Sequence, residues 1–400
     1  MTPIPDLSKF LSPTQRLLLA AATTRRDGAT RAAVAALAEQ VDWEAFARMA
    51  LEHSVVAPVF ATLLELSPEL VPGDVAAAAG QFRESQAARN RALADELDSI
   101  LAALAEAKIR AVPFKGPLLA EQAYGDIAAR QFRDLDFLVP EADIDACFEV
   151  LAALDYRGTH DLSPAQTRAF RAYAGEDILF QRERKVAIEP HWAFAPRTLA
   201  VDLDYAALWR RVRTVRFRGR DILALSAEDT VLALAIHGCK EQWIRLQWIC
   251  DFVESVRHAG PLDWTGLLAR ARDAGCLRML LVALALGRAL LGLELPEAAR
   301  AAILADPEAT AAAAGFVRML FAEDNEPPSI YTVTRLRLAL RERRRDRAAY
   351  AWRTVTTPRT IHYKMLQLPD PLFFLYRPAK LVHDYLMLPV WWRLRPRVEA

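Results

Sequence analysis

Asp134 and Asp136 stand two residues apart in Arg133-Asp-Leu-Asp-Phe-Leu-Val139, a short run that reads as a β-strand. Side chains alternate along a strand, so both carboxylates project from one face while Leu135 and Phe137 take the other. Carboxylates held that close repel when ionised. A divalent cation relieves the repulsion, and hard Mg²⁺ suits paired oxygen ligands together with substrate phosphates. In Lys185-Val-Ala-Ile-Glu-Pro-His-Trp192 the same alternation sets Ala187, Glu189 and His191 opposite Val186 and Ile188. A charge inside an apolar strand calls for a metal or a basic partner. Glu189 is therefore the candidate third ligand, or a general base, with Glu176, Asp177 and Glu183 as local competitors.

Upstream, Pro113-Phe-Lys-Gly-Pro117 puts Lys115 and Gly116 at a strand-to-helix turn. Gly116 permits close backbone approach, a helix start offers amide donors, and Lys115 adds a charge suited to phosphate. Arg130 and Arg133 bracket the approach to the acidic strand and could fork onto triphosphate oxygens. His191, His237 and Lys240 are candidate substrate contacts. For His191 a structural role beside Trp192 competes, and for His237 and Lys240 a packing or surface role does.

These residues need elements to hold them. Positions 14 to 107 carry apolar residues at helical spacing, with Asp74 as an N-cap candidate after the turn at Val71-Pro72-Gly73. From Ile109 the pattern becomes strand (109–114), helix (118–124), strand (133–139), helix (141–154) and two strands (177–181, 185–192). That order makes a compact unit of the α+β kind. Beyond about residue 205 the pattern is helical again, beginning at Ser226-Ala-Glu-Asp229, where Ser226 can cap. A single helical pattern then runs through Leu232, Ile236, Trp243, Leu246, Ile249 and Val253. The expected division is an N-terminal helical segment (1–88), a small mixed-sheet core (89–205), a larger helical domain (206–330) and a basic, aromatic-rich C-terminal region (331–400).

A hydrophobic fraction of 53% is ample for a sizeable core. The 51 basic residues balance 50 acidic ones, so overall charge does not mark a nucleic-acid binder, and no DNA partner is expected. The distribution is uneven, with nine arginines between Arg335 and Arg359 against Glu342 and Asp346. Such a stretch is usually a solvated helix face, although RNA, an acidic peptide or a membrane surface would suit it. Trp391-Trp392 near Arg393, Arg395 and Arg397 adds to the membrane-surface alternative. Cys147, Cys239, Cys250 and Cys276 are widely spaced, which predicts reduced thiols rather than a zinc site or disulfides. No apolar run approaches the roughly 20 residues of a membrane span, and Leu17–Ala22 is too short for a signal peptide. A soluble, cytoplasmic chain is expected. Walker, dinucleotide, Gly-x-Ser-x-Gly and His-Glu-x-x-His motifs are all absent, which argues against P-loop kinases, oxidoreductases, serine hydrolases and zinc proteases.

Phe114-Lys-Gly116, Tyr124, Arg130, Asp134-x-Asp136-Phe-Leu-Val and Glu189-Pro-His-Trp192 together resemble the uncharacterised bacterial nucleotidyltransferases. That family lies within the DNA polymerase beta-like nucleotidyltransferase superfamily. The resemblance is clearest over 109–195 and extends through 232–253, where His237, Lys240 and Trp248-Ile-Cys-Asp251 share the family's texture. It implies transfer of a nucleoside monophosphate from an NTP (ATP among them) to an acceptor hydroxyl or phosphate. The implied machinery is Mg²⁺ (or Mn²⁺) on Asp134, Asp136 and Glu189, with Lys115 and Gly116 at the phosphates. The acceptor is open, with small molecules, sugars and modified peptides of natural-product pathways among the implied classes. A sugar-nucleotide or sugar-phosphate donor at the same site, and a non-catalytic nucleotide- or peptide-binding module, are the alternatives. The wider superfamily carries Gly-Gly or Gly-Ser at the turn where this chain has Lys115-Gly116-Pro117.

Overall fold

The computed structural model describes residues 11–39, 41–322 and 330–388. Trp391, Trp392 and the arginines after them lie outside these. The chain opens with helices α1 (Pro13–Ala21), α2 (Gly28–Ala38), α3 (Trp43–Glu52) and α4 (Val56–Leu66). A 34-residue helix, α5 (Gly73–Glu106), follows. Pro72 stands at its N-cap, and Asp74 lies one step inside, where it complements the helix dipole instead of capping. The expected boundary at residue 88 falls inside this unbroken helix.

Five strands then form one mixed sheet in the order β1-β2-β5-β4-β3. They are β1 (Val112–Pro113), β2 (Asp134–Leu138), β3 (Arg157–Gly158), β4 (Leu179–Gln181) and β5 (Val186–His191). Between them run α6 (Gly116–Tyr124), α7 (Ile144–Ala153) and α8 (Pro164–Arg171). The central pair, β2 and β5, is parallel, and every other pairing in this sheet is antiparallel. Leu135, Phe137, Val186 and Ile188 pack with Leu93, Leu97 and Ile100 of α5 and with Cys147 and Leu151 of α7 in one core. The polar face of β2 and β5 is left to carry the carboxylates.

Beyond the sheet come α9 (Tyr205–Arg211) and an antiparallel hairpin of β6 (Arg213–Phe217) and β7 (Arg220–Ala224). From the sequence, helix is expected over this stretch, and the hairpin departs from it. The two-residue turn Arg218-Gly219, with both φ angles positive, closes the hairpin, and only Phe217 and Ala224 of its strands are buried. Next are α10 (Ala227–Lys240) and α11 (Leu246–His258). Ser226 caps α10 as expected, accepting from Asp229 N at 3.1 Å. The helical pattern expected to run on through Trp243 is broken there, since Gln242 and Trp243 adopt positive φ and fold the Trp243 ring back over Gly238. Helices α12 (Trp264–Asp273), α13 (Leu277–Leu291), α14 (Glu297–Ala305) and α15 (Pro307–Leu320) complete this part, with α13 almost wholly buried. Residues of α1–α4 and of α10–α15 share a single hydrophobic core, so the helices before and after the sheet build one helical body.

The C-terminal segment carries α16 (Ile330–Ala339), α17 (Arg344–Thr356), α18 (Thr360–Met365) and α19 (Tyr376–Val382). Its arginines do not form one solvated face. Arg341 is buried against Met279 and the Tyr350 ring, whereas Arg344 and Arg345 are exposed. All four cysteines are free and buried.

Candidate active site

The carboxylates are set by strand register. Asp134 pairs with Ala187 and Asp136 with Glu189 across the parallel β2–β5 ladder. Glu189 and His191 extend the same face along β5. The loop entering β2 is pinned from two helices. From α5, the Gln86 amide donates to Ala128 O (2.8 Å) and the Asn90 amide to Ile127 O (2.6 Å) and Arg130 O (2.9 Å). Gln247 of α11 donates to Gln131 O. No motif announces these amides, because each acts on backbone far away in sequence.

Lys115 ends the turn after β1, and its Nζ lies 2.5 Å from Asp136 Oδ1. Gly116 has φ +58°, a left-handed conformation that glycine takes without steric penalty. His191 Nε2 meets the same Asp136 oxygen at 3.2 Å and lies 3.7 Å from Glu189 Oε2. Its Nδ1 is 3.1 Å from Glu176 Oε2, ion-pair distance without hydrogen-bond alignment. Glu176 in turn receives Lys240 Nζ at 2.7 and 2.8 Å. A charged chain therefore runs Lys115–Asp136–His191–Glu176–Lys240. His237, on α10 with Lys240, packs edge-on against Trp248 with ring centroids 5.5 Å apart.

Burial disfavours every charge here, and the partners decide the outcome. Burial works against ionisation of Asp136, but Lys115 and His191 hold its carboxyl well below the usual range. Burial likewise opposes protonation of His191, yet the facing Asp136, Glu176 and Glu189 lift it to about 10. Lys115 stays cationic because Asp136, Glu189 and Asp134 outweigh its desolvation. His237 goes the other way: burial, then Lys115 and Lys240, push it well below its ordinary value and leave it neutral. Asp134 is pushed up to about 6 by burial and then by Asp136. Among the described residues its carboxylate has no hydrogen-bond or ion-pair partner.

That unpartnered carboxylate is the observation that tests for a metal. Ligand atoms of Asp136, Glu189 and His191 lie within 4.8 Å of one another, and Asp134 projects from the same face of β2. The set is dominated by carboxylate oxygens and one of them lacks a counter-charge, so it fits a hard divalent cation.

The remaining candidates sit differently. Arg130, expected at the phosphates, is buried with Nε 3.0 and 2.9 Å from the two oxygens of Asp251 and Nη2 2.9 Å from Oδ2. Tyr124 OH donates to the same carboxylate at 2.9 Å. The Arg130 guanidinium is thus committed to joining the loop before β2 to α11. Arg133 is exposed just ahead of β2. Asp177 is held by Arg171 at 3.3 Å, and Glu183 lies in the β4–β5 turn, so neither competes with Glu189. Glu176, the other competitor, joins the site through His191 and Lys240.

Fold and site define a class: an α+β core with acidic residues on adjacent parallel strands beside a glycine turn that starts a helix. The chain belongs to the family described as uncharacterised nucleotidyltransferase, whose model matches residues 39–292. No curated protein and no solved structure matches. The match takes in α3 to α13 with the whole sheet, and leaves out α1, α2, α14, α15 and the arginine-rich segment.

Proposed function

We propose that the chain is a Mg²⁺-dependent nucleotidyltransferase that moves a nucleoside monophosphate from an NTP to an acceptor. The observation carrying this reading is the β2–β5 register, which sets Asp136 against Glu189 with Asp134 two positions along the same face. Asp134, Asp136 and Glu189 are the residues for the cation, which when bound neutralises their charge and polarises the α-phosphate. Gly116 lets backbone approach the phosphate oxygens, and the start of α6 turns amide donors toward them. Lys115 keeps a positive charge in this corner, and Arg133 can reach the outer phosphates. The acceptor oxygen bonds to the α-phosphorus as the bond to the bridging oxygen breaks. Pyrophosphate leaves, and the acceptor's proton passes to Glu189. His191 donates to Asp136 and fixes its orientation. A cavity of about 490 Å³ lined by Glu176 and Lys240 on one side and by Arg337, Tyr350 and Arg353 is our candidate acceptor space.

The test is calorimetric titration of each NTP, with and without Mg²⁺, into the native chain and Asp134→Asn/Asp136→Asn. Mg²⁺-dependent binding that the double variant loses supports the reading and names the base for an acceptor screen. Absence of binding to both overturns the NTP donor, and a sugar nucleotide that binds in its place would identify the alternative.

A further inference from the structure

The C-terminal segment has its polarity reversed relative to a water-facing surface. Between Thr360 and Leu388 two of the four buried side chains are charged or titratable, His362 at 2% and Lys380 at 3% exposed, beside the rings of Tyr363 and Tyr376. Large apolar side chains turn outward instead, with Phe374 at 65% and Leu386 at 62% exposed, and Met365, Leu372, Val382 and Tyr385 also open to solvent. A buried lysine beside an exposed phenylalanine and several exposed aliphatic side chains reverses the normal arrangement.

The inner polar groups are well satisfied, so this is a built scaffold. Asp384 accepts from Lys380 (2.6 Å), Arg359 (2.9 Å) and His362 Nε2 (3.1 Å), while His362 Nδ1 accepts from Arg359 N at 2.9 Å. Tyr376 OH donates to Leu366 O at 2.7 Å, and the Gln166 amide of α8 donates to it, tying the segment to the sheet domain. His362, His383 and Asp384 cluster closely enough to suggest a metal, but with Lys380 and Arg359 also on Asp384 and a backbone N–H on His362 Nδ1, the cluster is already filled.

Charge selects the partner. From Ile330 onward lie fifteen of the 51 basic residues and five of the 50 acidic ones, a net charge of +10 against −9 for residues 1–329. Lys364 and Arg377 are exposed among the outward apolar side chains, and Arg344 and Arg345 are exposed on α17. No described helix is long and apolar enough to cross a membrane. Short helices with outward leucine, phenylalanine and methionine beside lysine and arginine match the chemistry of insertion to the headgroup level of an anionic leaflet. We infer that residues 360–388 dock the protein on the surface of an anionic lipid bilayer, with Phe374 and Leu386 entering the acyl boundary.

The test is flotation of the full chain with vesicles of phosphatidylcholine alone or with about a third phosphatidylglycerol. Expected are flotation with the anionic vesicles, weak flotation with the neutral ones, and a roughly tenfold drop in partition when salt rises from 0.1 to 0.5 M. Phe374→Glu/Leu386→Glu should lower partition at least about tenfold, since charge at that depth is costly, with circular dichroism and thermal unfolding unchanged. Both positions are exposed, so folding is spared; Arg344→Glu/Arg345→Glu, also exposed, supplies a second variant with a smaller expected loss. Equal partition into both vesicle types, or binding that survives Phe374→Glu/Leu386→Glu, would overturn the proposal. So would lipid-free self-association abolished by that variant, which would make the covering surface a second copy of the chain.

Discussion

Arg130 and Asp251 are 121 positions apart and meet through three nitrogen–oxygen contacts of 2.9 to 3.0 Å, out of reach of solvent. Removing one member of a buried pair strands the other's charge, at a cost of about 3–5 kcal/mol. Arg130→Met is therefore expected to lower unfolding free energy by that amount in urea titrations, while NTP affinity of the folded fraction stays within about twofold. Arg130→Met/Asp251→Leu should recover most of the loss, because no unpaired charge remains. A large fall in NTP affinity with little loss of stability would return Arg130 to the phosphates. Asp134 differs in having no such partner, which is why a cation suits it and not another side chain.

Two glycines distinguish conformation from space at the level of single elements. A Cβ at Gly116 would meet nothing nearer than Asp134 O at 3.7 Å, so Gly116→Ala carries only the left-handed backbone cost of about 1–2 kcal/mol. A Cβ at Gly238 would fall 2.3 Å from the Trp243 ring. Gly238→Ala must push that ring out of its seat at about 1–3 kcal/mol, read as a lower melting temperature and a shifted tryptophan emission. Gly238→Ala/Trp243→Leu should regain part of it. The contrast also explains what was legible in advance. Asp134, Asp136, Glu189 and His191 were readable because strand alternation is local and fixes their face. The β6–β7 hairpin was not, since exposed arginines and threonine mask its alternation and only the Arg218-Gly219 turn marks it. The break at Trp243 escaped because its apolar spacing still fits a helix. Asn90, Gln86 and the Arg130–Asp251 pair act across tens of residues, where pattern carries no signal.

At the scale of the molecule, the two halves of the helical body are joined by polar contacts as well as apolar ones. His53, capping the end of α3, accepts at Nδ1 from Leu246 N at the start of α11, and its ring stands edge-on to Phe321. Burial, then Arg245, lowers its pKa from 6.5 to about 4. The unfolded chain takes up a proton near pH 6.5 that the folded chain refuses until about 4. This contribution is thus complete above pH 6.5 and is lost as pH falls through that window. His53→Gln should flatten the pH dependence of unfolding free energy between 4 and 6.5 relative to the native chain. An unchanged slope would mean that the protonated ring is accommodated in the fold.

The shared core also sets a timetable for synthesis. Thr24 donates to Glu254, 230 positions later, and Leu17, Phe46 and Leu63 belong to one core with side chains of α11 to α15. At about 5–20 residues per second, the first four helices leave the ribosome some 10–50 seconds before the helices that will bury them. The sheet domain, whose core lies within residues 93–192, can close during that wait. The apolar side chains that α1–α4 give to the shared core meanwhile wait for partners that have yet to be made.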